Sequence, residues 1–146
     1  MPDIEKGGRM ANTVRKVDYF YTKIPNRPGE GAKVLEALCE AGINFLAISG
    51  FPRERRTQLD LIPENTMKFR AAAKKCGLNL SPRKTGFLIQ GEDKPGAVAQ
   101  IFSKLAAANI NVTACDAACA GKGRFGAILW VKPADVRKAA KTFGIK

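Results

Sequence analysis

Asn26-Arg27-Pro28-Gly29 decides the fold, because the chain writes it twice: it returns as Asp93-Lys94-Pro95-Gly96, at an offset of 67 residues. The same offset carries Ile43-Asn44 onto Ile110-Asn111. One repeated turn is weak evidence. Two landmarks in register, with matching apolar faces between them, mark an internal duplication. A period this long exceeds that of a solenoid repeat, so each copy is large enough to form a small domain.

Upstream of the first turn, Val17 to Ile24 is rich in β-branched and aromatic residues and reads as a strand ended by Pro25. Downstream, Val34, Leu35 and Leu38 have the spacing of one helix face, and Gly42 supplies a left-handed stop. Ile43–Ser49 and Thr57–Ile62 read as strands, joined through Gly50-Phe51-Pro52 and the cluster Arg53, Arg55 and Arg56. Phe69, Ala72, Ala73 and Cys76 mark a second helix, and Leu78-Asn79-Leu80 a short fourth strand. The second copy repeats this order. Phe87-Leu88-Ile89 opens it, and Val98, Ile101, Phe102 and Leu105 form its first helix face. Val112–Ala117 and Ala127–Val131 are strands around the hairpin turn Gly121–Gly126, and Val136, Ala139, Ala140 and Phe143 mark the last helix. The sequence then stops at Lys146, so the second copy is expected to lack most of its last strand. That leaves one strand position open to the N-terminal arm, another subunit or a neighbouring sheet.

The order is β-α-β-β-α-β, so the expected fold is α+β: two ferredoxin-like units, each with its helices on one face of an antiparallel sheet. The expected division is a flexible arm over residues 1–16, one domain over 17–82 and a second over 83–146.

Composition excludes several classes. The chain has no histidine, which removes Ser-His and Cys-His catalysis and the usual general base near neutral pH. Cys39, Cys76, Cys115 and Cys119 read as reduced, buried thiols, the first two at helix positions expected in the core. No metal, cofactor or enzymatic activity is expected. No apolar run reaches the ~18 residues of a membrane span, and residues 1–16 lack a signal-peptide core, so a cytoplasmic protein is expected. The net charge of +12 is concentrated in residues 83–146, which hold eleven of the 25 cations and four of the 13 acids. Such charge attracts anions. The cations are scattered, however, and Tyr19, Phe20 and Tyr21 are consecutive, so no aromatic platform for RNA forms on one sheet face. Nucleic acid is therefore not the expected partner.

An Asn/Asp-x-Pro-Gly turn between first strand and first helix, followed by Ile-Asn opening the second strand, resembles the ACT domain. The chain resembles a tandem pair of them over residues 17–146. The resemblance implies a regulatory protein that binds an amino acid, pairs side by side as a homodimer, and acts in trans on a metabolic enzyme or other partner. ACT ligands lie at the seam between domains. In serine-binding members the turn asparagine and the asparagine opening the second strand hold the ligand. These map onto Asn26 and Asn44, and onto Asp93 and Asn111. The implied ligand-binding set is Asn26, Arg27, Pro28, Gly29 and Asn44 in the first copy, and Asp93, Lys94, Pro95, Gly96 and Asn111 in the second. Those members also carry a histidine two positions before the turn asparagine, where this chain has Ile24 and Gly91.

Physical chemistry supports an anion at each turn. A helix start offers unpaired N–H groups and the positive end of a dipole, and glycine lets a ligand approach the backbone. Asp93 is a carboxylate where Asn26 is neutral, so the two sites are expected to differ in ligand preference. Other readings stay open at this level. Asn26 and Asp93 also fit helix N-caps worth about 1 kcal/mol each. The repeats also fit a ligand-free oligomerisation module or a basic ferredoxin-like nucleic-acid binder.

Overall fold

The computed structural model describes residues 12–145. The described residues divide into two compact units, one of residues 18–84, the other of residues 12–17 together with 85–145. Both are α+β and ferredoxin-like.

In the first unit, strand β1 (Thr13–Pro25, from Asp18 on) pairs antiparallel with β3 (Arg56–Pro63), and β3 pairs antiparallel with β2 (Phe45–Arg53). Helices α1 (Glu30–Glu40) and α2 (Thr66–Lys75) supply the other layer. The core is Phe20, Ile24, Leu38, Leu59, Leu61, Phe69, Ala72 and Ala73. Phe69 lies at its centre, with ring centroids 5.4 Å from Phe20 and 5.8 Å from Phe45. The hairpin between β2 and β3 is tighter than expected. The strands run to Arg53 and from Arg56, and Glu54 takes a left-handed φ of 62° in the two-residue turn.

The expected fourth strand at Leu78–Leu80 is not a strand. The segment runs extended beside β1: Ser81 N donates to Tyr21 O at 2.9 Å, Tyr21 N donates to Ser81 Oγ at 2.9 Å, and Thr22 Oγ1 donates to Asn79 O at 3.0 Å. A serine hydroxyl stands in for a ladder carbonyl, and Pro82, which has no N–H, stops the pairing.

The second unit is built from β4 (Lys84–Glu92), α3 (Ala97–Ala107), β5 (Val112–Cys119), β6 (Arg124–Val131) and α4 (Val136–Thr142). Strand β6 pairs antiparallel with both β4 and β5. Phe87, Ile89, Leu105, Leu129 and Ala139 are fully buried in its core. The turn before β6 carries three successive left-handed residues, Gly121, Lys122 and Gly123, as a hairpin requires.

The open strand position beside β4 is filled by the chain's own start. Strand β1 is the other neighbour of β4, and Thr13–Val17 belong to this unit, with Val14 packed against its core. The expected arm over residues 1–16 is thus strand from Thr13 onward. The remainder of that arm, residues 1–11, lies outside the described residues.

Side-chain expectations need two corrections. Cys39, Cys76 and Cys119 are exposed and Cys115 is half-buried, so the cysteines are not core thiols. Cys39 follows Leu38, which takes the buried position, and Cys76 lies beyond the last turn of α2. Phe102, expected on the buried face of α3, is exposed because Ile101 and Leu105 fill that face. No helix among the described residues is long and apolar enough to cross a membrane.

Two outcomes follow from the packing. A chain beginning at Val17 should unfold at a lower temperature, the half-buried Val14 side chain alone contributing about 1 kcal/mol. Amide exchange should accelerate at Leu88 and Ile89 while Phe20 and Leu61 keep their protection; equal protection throughout would contradict the role given to the strand. The second concerns Tyr19, whose phenol is pushed up to about 12 by burial first, then by the charge of Asp60, then by Tyr21. A raised folded-state value stabilises the fold fully below the ordinary tyrosine range near 10, and that contribution disappears as pH rises through about 12. Ultraviolet titration should show one tyrosine ionising about two units late, and Tyr19→Phe should remove that late step.

Candidate ligand-binding turns

Pro25 closes β1, and the next four residues reverse the chain into α1. Arg27 N donates to Pro25 O at 3.0 Å, Glu30 N to Arg27 O at 3.3 Å, and Lys33 N to Gly29 O at 3.0 Å. Gly29 is the residue at the helix cap, with φ 88°, and no side chain caps the helix. Gly96 repeats this at φ 85°, again without a side-chain cap. A Cβ at either glycine would meet nothing within 4 Å, so the backbone angle, not crowding, is what calls for glycine there.

The capping reading of Asn26 and Asp93 is therefore incorrect, since each lies three residues before its cap. Asn26 Oδ1 instead accepts a hydrogen bond from Thr57 Oγ1 at 3.1 Å. Asp93 N donates to Gly123 O at 2.8 Å, and its carboxylate accepts from the Cys119 thiol. That hydrogen bond is the main reason the Cys119 thiol is pushed up, ahead of burial and the Asp93 charge.

All ten residues of the expected set are exposed. Arg27 and Lys33 both donate to Glu30 Oε1, at 3.2 and 3.4 Å, an exposed cluster worth little in stability. Glu30 also places a carboxylate in the first turn of α1, where Ala97 stands at the matching point of α3. The start of α3 is thus the better seat for an anion, and the Asp93 beside it suits a cation. The two turns differ in one further respect: the acid precedes the helix in one and opens it in the other.

The structure does not bring the turn and strand residues together within a unit. Asn44 Nδ2 donates to Glu64 Oε2 at 3.0 Å, and Glu64 N donates to Asn44 O at 3.0 Å. Asn26 bonds Thr57 near the start of β3, while Asn44 bonds Glu64 just past its end. Seven residues of strand separate these anchors, on the order of 20 Å. The second unit repeats this: Asp93 is tied to Gly123 before β6, while Asn111 precedes Val112, which is paired with Val131 at the end of β6. Asn111 makes no side-chain hydrogen bond among the described residues. Sequence reading missed Thr57, Glu64 and Cys119 as partners because each is remote in the chain, and no spacing announces such pairs.

The architecture so built is ACT-like, and comparison with solved structures agrees. The chain is similar to the protein BT0572 from Bacteroides thetaiotaomicron, with a TM-score of 0.77 at 18% identity, covering 90% of this chain and 88% of that one. It is similar to the regulatory subunit of aspartate kinase from Thermus thermophilus in its ligand-free form, with a TM-score of 0.64 at 18% identity over 93% of this chain and 96% of that one. The corresponding subunit from Thermus flavus gives 0.63 at 20% identity with the same coverage. At these identities the likeness is one of fold. No known protein-family profile matches the sequence, and no curated protein matches it significantly.

The Asp93–Cys119 bond gives a direct check. Asp93→Asn should lower the Cys119 thiol and speed its alkylation at mildly alkaline pH severalfold, with Cys39 and Cys76 unchanged. Mass spectrometry of the modified chain reads the rates; an unaltered Cys119 would mean that the bond is absent in solution.

Proposed function

We propose that this protein is a non-enzymatic regulator of two tandem ACT-type domains, residues 17–82 and 83–146, which binds an amino acid in the cytoplasm and acts in trans on a metabolic enzyme. The observation that carries the reading is the pair of exposed Asn/Asp-x-Pro-Gly turns whose side chains do not cap the helices they precede. With the capping explanation gone, two helix starts with left-handed glycines remain open to solvent, beside side chains suited to an α-carboxylate and an α-ammonium. The fold shared with the regulatory subunits of aspartate kinase supports a regulatory rather than a catalytic role.

The distance between turn and strand asparagine along β3 supports a homodimer. One small ligand spans neither unit, so a site using both groups joins the turn of one domain to the strand start of another. Among the described residues strand β2 pairs with β3 alone, and it exposes Ile48 and Phe51, apolar side chains at an edge suited to joining sheets.

Thermal unfolding against a panel of the common amino acids tests this. A ligand at 100 times its dissociation constant adds about 2.7 kcal/mol to the folded state, which raises the midpoint of a protein this size by several degrees. One amino acid should produce that rise, and Asn44→Ala or Asn111→Ala should abolish it. A flat panel would reject the sensor reading in favour of a ligand-free oligomerisation module.

A further inference from the structure

The second unit holds a cavity of about 490 Å3. Its polar lining consists of Asn12 just before β1, Thr13 and Arg15 on β1, Gln90 on β4 and Arg124 on β6, with Phe143 after α4 among its apolar residues. The size is that of a small-molecule site. Two guanidiniums, two amides and a hydroxyl make the lining rich in donors, and no carboxylate of the described residues lines it.

The register places two of the lining side chains on one face of the sheet. Gln90 stands opposite Gly126, and Glu92 opposite Arg124, so these four positions share one face of the β4–β6 ladder. Gly126 puts no side chain there, and a Cβ built on it would meet nothing within 4 Å. Gly91, on the other face, leaves room for Asn12, whose amide and the Phe125 ring occupy the space its side chain would take. Neither Arg15 nor Arg124 has an ion pair or side-chain hydrogen bond among the described residues. Among the described residues the cavity lining thus carries two guanidiniums and no carboxylate.

A guanidinium presents a planar fork that matches an oxyanion in two places at once, and two forks suit a dianion. We propose that this cavity is a second effector site, taking a small anion with a phosphate group or a pair of carboxylates. None of the ten residues assigned to the amino-acid turns and strand starts lines it.

Calorimetric titration of the full chain with pyrophosphate, and separately with succinate, at constant ionic strength, tests the proposal. Saturable binding of one or both is expected, and the preferred probe identifies the phosphate or the dicarboxylate class. Arg15→Gln and Arg124→Gln should each weaken binding roughly tenfold or more, and Arg124→Lys, which keeps the charge and loses the fork, by less. Asn111→Ala should bind as the parent does, which separates this site from the amino-acid reading. Absence of saturable binding by both probes, or an equal loss in Lys33→Gln, would overturn the proposal, the latter by reducing it to net charge.

Discussion

The structure depends on closing the edge of β4. A ferredoxin-like unit buries its core only when the first strand is flanked on both sides, because an open edge leaves ladder N–H and C=O groups unpaired beside the core. The second repeat brings three strands of its own, and β6 covers one side of β4. The start of β1 covers the other, and Val14 carries its apolar side chain into that core. One 13-residue strand therefore serves both units, its first residues in one and the rest in the other.

The two turns obey a second constraint. Each helix begins at a glycine in the left-handed region, which swings the preceding residues clear of the helix axis. Asn26 and Asp93 are turned away from the cap and engage the far hairpin end of their own sheet instead, through Thr57 and Cys119. The turn group and the strand asparagine come to lie at opposite ends of a single strand. That arrangement is unsuited to one ligand within a unit.

The duplication made the fold legible. Repeats at one offset exposed the element order twice, and errors in one copy were checked by the other. What stayed hidden was of another kind. Thr13–Lys16 lack the dense β-branched pattern of Val17–Ile24, so their strand character comes from the vacancy beside β4, a tertiary fact. Leu78–Leu80 have strand-like residues, but Ser81-Pro82 ends their pairing. The turns were legible as candidate sites from residue type; the partners of their side chains were not, since Thr57 is 31 residues from Asn26 and Glu64 is 20 from Asn44. Cys39 and Cys76 fitted helical spacing and are exposed, because a position beside the buried stripe and one beyond the helix end both escape the core.

The shared strand also sets an order of events for a chain made from its N-terminus. The first unit is one continuous stretch, residues 18–84, so its whole chain exists before the second unit's own strands are made. The second must hold Thr13–Val17 in reserve until β4 has been made, so its final strand is the earliest of its strands to be synthesised and the last to find a partner. Closing so long a loop costs entropy that grows only with the logarithm of its length. Folding of the first unit in the interval shortens the effective loop, because its ordered ends bring Val17 and Thr85 nearer than a free chain would. In kinetic terms, the first repeat acts as the template on which the second is completed.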